Sequence, residues 1–184
     1  MEIKNIVIIG AGAMGLGIAQ VSAVAGYDVV LNDIAEAPLE RAIAAIKKSL
    51  GKMVSKGKMA EADLDAAMAK IKTTTNLEEA CKDADLLVEC VFENLELKKD
   101  MFKKFEQYCK PETILGTNTS AIPVTEIASA TNRGDKVIGI HFMNPVPLMK
   151  GVEIIRGQLT SDETMELTLG YIEKIGKDAA IAVD

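Results

Sequence analysis

An α/β fold is predicted, with a mostly parallel sheet covered by helices on both faces, and three observations predict it. Short runs rich in Val, Ile and Leu alternate with longer stretches of helical periodicity. Several of those runs are apolar at successive positions, as strands buried on both faces must be. A glycine cluster joins the first run directly to the first helical stretch. Strand and helix in alternation give parallel neighbours, because each helix carries the chain back across the sheet.

Taken in order, "IKNIVII" from Ile3 to Ile9 is short, apolar and β-rich, so it reads as the first strand. The glycines that follow open a helix over Ala13 to Ala25. "YDVVLND", residues 27–33, is a second buried strand, and helical patterns follow from about Glu36 to Lys56 and from Glu61 to Lys70. "DLLVECVF" (85–92), "TILGT" (113–117) and "KVIGIHF" (136–142) are further buried strands, with helical stretches between several of them. "VEIIRG" (152–157) and "DAAIAVD" (178–184) are later strands that flank a helix from Asp162 to Ile175.

Composition narrows the function. The 184 residues are enough for one well-packed domain, or one domain with a fragment of a second, and the 48% apolar content supplies a core. With 27 acidic and 21 basic residues the net charge is −6, which argues against a general nucleic-acid binder. Cys81, Cys90 and Cys109 form no C-x-x-C pair and are odd in number, so they read as free thiols of a reducing compartment, the cytoplasm. A single histidine leaves a zinc site short of ligands, and no metal is expected.

The stretch from Asn5 to Tyr27 is uncharged and ends on Ala23-Val24-Ala25, which resembles a membrane or export segment. Glu2 precedes it, however, and Gly10, Gly12, Gly15, Gly17 and Gly26 interrupt it, so no membrane association is expected.

Gly10-Ala11-Gly12-Ala13-Met14-Gly15 fits G-x-G-x-x-G between a strand and a helix. The first glycine allows the tight turn, the second lets backbone approach a pyrophosphate, and the third lets the helix pack on the strand. The helix N-terminus then faces the phosphates. Asp33, at the end of the second strand, suits hydrogen bonds to an adenosine ribose and repels a 2′-phosphate, which favours NAD over NADP. The plain alternative is an ordinary turn in which Asp33 caps the next helix. These features define the sheet as a Rossmann-type, doubly wound one.

Residues 41–60 carry Arg41, Lys47, Lys48, Lys52, Lys56 and Lys58 with no acid, so the rest of the chain bears about −12. Such a run serves either a phosphorylated ligand or a solvated helix face, and pattern alone does not choose. His141 stands at the end of a strand, where open α/β sheets place ligands, with Glu153 twelve residues on and Ser120 just past another strand. An imidazole steadied by a carboxylate suits removal of a hydroxyl proton, with a serine hydroxyl on the reacting oxygen. A packed, hydrogen-bonded histidine without chemistry is the other reading of the same residues.

GAGAMG, "NTS", and "HFMNPVP" followed by "VEIIRG", in that order, resemble the 3-hydroxyacyl-CoA dehydrogenase family over essentially the whole chain. The resemblance implies NAD-linked interconversion of 3-hydroxyacyl-CoA and 3-oxoacyl-CoA, with a short acyl chain such as acetoacetyl-CoA. His141 would be the general acid/base, Glu153 its orienting partner and Ser120 a contact to substrate and cofactor. Asn144 matches a further cofactor contact, as do Glu93 and Lys98 in "ENLELK", and Asp33 matches the ribose ligand. Gly10, Gly12, Met14 and Gly15 fall in the dinucleotide turn, while Ser49 and Lys56 match positions that touch coenzyme A.

In this family a Pro-Gly-Phe segment, an Asn-Arg pair and a helical dimerisation domain follow, which implies a homodimer for the intact enzyme. The 184 residues therefore read as its NAD-binding domain, either active in a longer enzyme or a binding module without turnover of its own. A β-hydroxyacid dehydrogenase with a lysine-based site shares the glycine turn, but "HFMNP" with "VEIIRG" does not suit it.

Overall fold

The structure, a computed structural model, describes residues 2–184. Its strands are β1 (Asn5–Ile9), β2 (Asp28–Asn32), β3 (Ile71–Thr74), β4 (Leu86–Glu89), β5 (Ile114–Thr117), β6 (Val137–Phe142), β7 (Gly151–Arg156) and β8 (Asp178–Val183). Its helices are α1 (Ala13–Val24), α2 (Glu36–Ser55), α3 (Glu61–Ala69), α4 (Leu77–Cys81), α5 (Leu95–Tyr108), α6 (Val124–Ala128) and α7 (Asp162–Lys174). All the strands lie in one sheet in the order β3-β2-β1-β4-β5-β6-β7-β8. Neighbours from β3 to β6 are parallel; β7 is antiparallel to β6, and β8 runs parallel to β7. This is the doubly wound arrangement expected, with its strand order reversing between β1 and β4.

Side-chain alternation divides the sheet's two faces. Ile6 and Ile8 of β1 pack with Ile18 of α1, Ile46 of α2 and Tyr171 of α7. Val7 and Ile9 point the other way, into a second core with Phe102 and Phe105 of α5 and Ile127 of α6. The two faces explain why the inner strands carry apolar residues at successive positions: with a period of two, each successive side chain meets a different helical layer. The uncharged N-terminal stretch is thus a central strand and its covering helix. No helix among the described residues is long and apolar enough to cross a membrane. The three cysteines are free.

Some boundaries differ from the sequence expectation. β3, "IKTT", has no apolar run and escapes periodicity, because an edge strand needs little burial. The run 85–92 is strand only to Glu89; Cys90 N–H still donates to Ile9 O at 2.8 Å, and the chain then turns off to reach α5. Asn94 caps that helix, its side chain accepting from Leu97 N–H at 2.9 Å.

At the opposite end of the same strand Asp85 is a buried anchor. Its Oδ2 accepts from the N–H groups of Lys4 (2.9 Å) and Asn5 (2.8 Å), and its Oδ1 from Lys110 Nζ (2.9 Å). Burial raises its pKa, but the Lys110 ammonium and the two backbone donors outweigh it and hold the carboxyl below its ordinary value. A depressed folded pKa contributes stability above the usual carboxylate range, and that stability is lost as the pH falls through the depressed value. Asp85→Asn is expected to cost about 2 kcal/mol near neutrality. In urea unfolding at several pH values, the variant should lose less stability than the parent between neutral and strongly acidic pH.

Candidate functional site

The carboxyl ends of the parallel strands and the turns after them bring the site together. β1 runs into Gly10, whose φ of +103° is open to glycine, and a Cβ there would come within 2.7 Å of Cys90 O. At Gly15 a Cβ would stand 1.8 Å from Gly10 O, so the turn closes only without a side chain. Around Gly12 there is open space; it is the N-cap of α1, where no side chain occupies the cap and no acid lies in the first turn. That uncapped N-terminus is the cradle a pyrophosphate needs. Met14 is half-buried and packs on the core beneath.

Asp33 follows β2, and its carboxylate does not cap α2, whose N-cap is Ala35 without a side-chain bond. It reaches back to the glycine turn instead: Oδ2 accepts from Ala11 N–H and Oδ1 from Ile34 N–H, both at 2.8 Å. An acid pinned beside the turn is placed for a ribose next to the pyrophosphate, so the residues fit NAD. Asp33→Ala is expected to weaken NADH binding about 10- to 100-fold, the worth of charged hydrogen bonds, and to reduce discrimination against NADPH. Titrating both nucleotides by calorimetry checks it.

His141 and Glu153 face each other directly across the antiparallel β6–β7 pair. Eight residues connect the end of β6 to the start of β7 and reverse the chain, and the register of the pair brings the two side chains together. His141 Nδ1 lies 2.7 Å from Glu153 Oε2, and Nε2 lies 3.1 Å from Ser120 Oγ. Beside a carboxylate, Nδ1 carries a proton and donates, which leaves Nε2 as the exchangeable nitrogen facing Ser120. The His141 side chain is 18% exposed and that of Glu153 is 50% exposed, so the dyad opens on solvent from a packed base. Phe142 N–H donates to Asn118 Oδ1 at 2.9 Å, fixing the end of β6 against the loop after β5.

Glu93 sits in the turn after β4 and organises that loop. Its Oε1 accepts from the Thr119 hydroxyl, from Ser120 N–H at 2.9 Å and from Ala121 N–H at 3.3 Å. Burial alone would raise its pKa; the Thr119 and Ser120 hydrogen bonds and the Lys98 charge prevail, and the carboxyl lies below its ordinary value. Lys98, expected among the cofactor contacts, has no exposed side chain: its Nζ is bound to the buried Glu89 at 2.8 and 3.0 Å and lies 3.5 Å from Glu93 Oε2. Its charge acts from beneath the crevice. Asn144 is exposed just beyond β6, in a cis peptide with Pro145.

Ser49, half-buried on α2, and Lys56, exposed at that helix's C-cap, belong to the basic run rather than to this cluster. None of the run's six cations is salt-bridged among the described residues. Glu89 and Thr117 join the site unannounced by the motif pattern, while Asn118 and Thr119, which lie in "NTS", gain their contacts only here. The one signal was an acid, Glu89, inside an otherwise apolar strand. Two hollows of about 290 and 330 Å³ lie at the other end of the sheet, around Gly26 and Lys58 and around Asp28 and Lys72, and hold none of these residues.

A glycine turn at the strand-order switch, an acid just after the next strand and a histidine–carboxylate pair across β6 and β7 define a Rossmann-type dinucleotide-binding domain. The family model for the 3-hydroxyacyl-CoA dehydrogenase NAD-binding domain matches residues 5–184. The chain belongs to the 3-hydroxyacyl-CoA dehydrogenase family and carries its NAD-binding domain.

It is 46% identical over 179 residues to a probable 3-hydroxybutyryl-CoA dehydrogenase of Bacillus subtilis, covering 97% of this chain and 62% of that protein. The 3-hydroxybutyryl-CoA dehydrogenase of Clostridioides difficile is 45% identical, over 94% of this chain and 61% of its own length. The crystal structure of (S)-3-hydroxybutyryl-CoA dehydrogenase from Ralstonia eutropha superposes with a TM-score of 0.97 at 38% identity, over 100% of this chain and 64% of that one. The chain thus spans about three-fifths of the length of the curated relatives it matches.

Proposed function

We propose that the protein interconverts 3-hydroxyacyl-CoA and 3-oxoacyl-CoA with NAD(H), and that its substrate pair is 3-hydroxybutyryl-CoA and acetoacetyl-CoA. The observation that carries this is His141, held by Glu153 on one nitrogen and facing Ser120 with the other. When bound, NADH supplies the hydride that reduces the 3-carbonyl carbon. In that direction His141 gives the Nε2 proton to the forming alkoxide oxygen, and in the other it removes the hydroxyl proton. Glu153 keeps Nδ1 protonated and stabilises the imidazolium, so that Nε2 alone exchanges protons with the substrate. The Ser120 hydroxyl donates to the same oxygen as negative charge develops on it.

Gly10, Gly12, Met14 and Gly15 would line the pyrophosphate turn, with Asp33 on the ribose and Glu93 and Asn144 nearer the nicotinamide. Lys98 enters through its pull on Glu93. The names of the relatives support the acyl-CoA substrate and its short chain. The unpaired cations of the α2 run support a site for the coenzyme A phosphates at Ser49 and Lys56, where flexible lysines supply charge without fixed geometry. Homodimerisation and a cytoplasmic setting, implied by the family likeness, belong to the same proposal.

Calorimetry with NADH beside an assay of acetoacetyl-CoA-dependent NADH oxidation tests it. Binding with turnover supports the proposal. Binding without turnover assigns these residues to a dinucleotide-binding module, and failure to bind NADH overturns both.

A further inference from the structure

Glu89 is an acid that the proton transfers above do not use, yet it lies fully buried at the carboxyl end of β4, next to an equally buried Lys98. Four contacts converge on its two oxygens. Oε1 accepts from Lys98 Nζ at 2.8 Å and Val91 N–H at 2.7 Å; Oε2 accepts from Lys98 Nζ at 3.0 Å and Thr117 Oγ1 at 2.8 Å. Burial pushes this carboxyl above its ordinary value, while Lys98, Thr117 and Val91 pull it down. With every contact a donor, the geometry is built for the carboxylate.

An ammonium has three protons. Both oxygens of Glu89 lie within hydrogen-bond distance of it and hold the Lys98 head, and Glu93 Oε2 lies 3.5 Å from the same nitrogen as an ion pair. The other oxygen of Glu93 holds Ser120 N–H at 2.9 Å, and Ser120 Oγ lies 3.1 Å from His141 Nε2. A path of charged and hydrogen-bonded side chains therefore runs from Glu89 through Lys98, Glu93 and Ser120 to the imidazole.

Stability alone accounts poorly for the pair, because desolvating two charges offsets most of what their attraction returns. Asp85 and Lys110, at the other end of the same strand, form a more exposed pair that leads to no site residue.

We propose that Glu89 is a positioning residue: by fixing Lys98 it sets Glu93, which places the Ser120 hydroxyl against His141. The proposal rests on the reading of Ser120 and His141 as the acting groups. Without Glu89, the flexible lysine is drawn wholly to Glu93 and pulls that carboxylate off the backbone of Ser120 and Ala121.

The test uses the chain's one histidine, whose ring gives one Hε1–Cε1 NMR signal. Ser120→Ala marks where that signal moves when the hydroxyl contact is lost. Glu89→Gln is expected to displace it by at least half as much, and so is Glu89→Gln combined with Lys98→Met, which leaves no charge buried alone. Asp85→Asn, a loss of similar depth elsewhere, should leave it in place. A Glu89→Gln or double-variant signal superposed on the parent's, with Ser120→Ala displaced, overturns the positioning role and leaves the catalytic reading standing. A displacement equalled by Asp85→Asn overturns it as general loosening. A signal unmoved by Ser120→Ala removes the Ser120–His141 contact and overturns both.

Discussion

His141→Ala is expected to lower kcat for acetoacetyl-CoA reduction about a thousandfold, roughly 4 kcal/mol of barrier, while leaving the Kd for NADH within about twofold. The magnitude follows from the proposed role. A positioned acid/base contributes two to four orders of magnitude, and among the described residues no other side chain is hydrogen-bonded to Ser120 Oγ to replace it. The selectivity follows from location: the glycine turn and Asp33 stand on β1 and β2, on the other half of the sheet from β6. Glu153→Gln should reproduce part of the loss, since an amide neither fixes the protonated Nδ1 as firmly nor offsets the imidazolium charge. Steady-state kinetics beside NADH calorimetry on the same preparations decides it. Activity of His141→Ala equal to the parent's would remove His141 from the chemistry.

Lys98→Met is expected to cost about 3–5 kcal/mol of stability. Both Lys98 and Glu89 are fully buried, so removing the ammonium leaves a carboxylate with only the Thr117 hydroxyl and the Val91 N–H. Methionine nearly fills the vacated volume, so the cost is electrostatic rather than a cavity. Glu89→Gln added to Lys98→Met should recover most of it, because the pair then leaves as a unit. Equilibrium urea unfolding of the parent, the single variant and the double variant measures both quantities. A single-variant loss under about 1 kcal/mol would mean that water reaches the pair.

The fold was legible because its signals are local. Apolar runs at β1, β2, β4, β5 and β6 and the glycine turn each need only a few consecutive residues, and the doubly wound sheet follows from their order. The polar edge strand β3 was not legible, since only Ile71 in it is apolar and pairing with β2 is what makes it a strand. The role of Asp33 was half legible. Its place after β2 suggested either a ribose ligand or a helix cap; the N-cap of α2 is Ala35 and Asp33 binds Ala11 N–H instead, which excludes the cap and leaves the ribose role to the nucleotide titration.

By itself the sequence determined the glycine turn, the sheet that presents it, and the presence of one histidine at a strand end with a carboxylate inside a later strand. Those are properties of short stretches, fixed by backbone conformation and side-chain periodicity. Only the tertiary structure decided that His141 and Glu153 are cross-strand partners, that Glu93 gathers the Ser120 loop, and that Lys98 is spent on Glu89 instead of facing the crevice. Partnership between charges depends on distance and on exclusion of water. Neither is written in a spacing along the chain until the strands pair and the helices close over them.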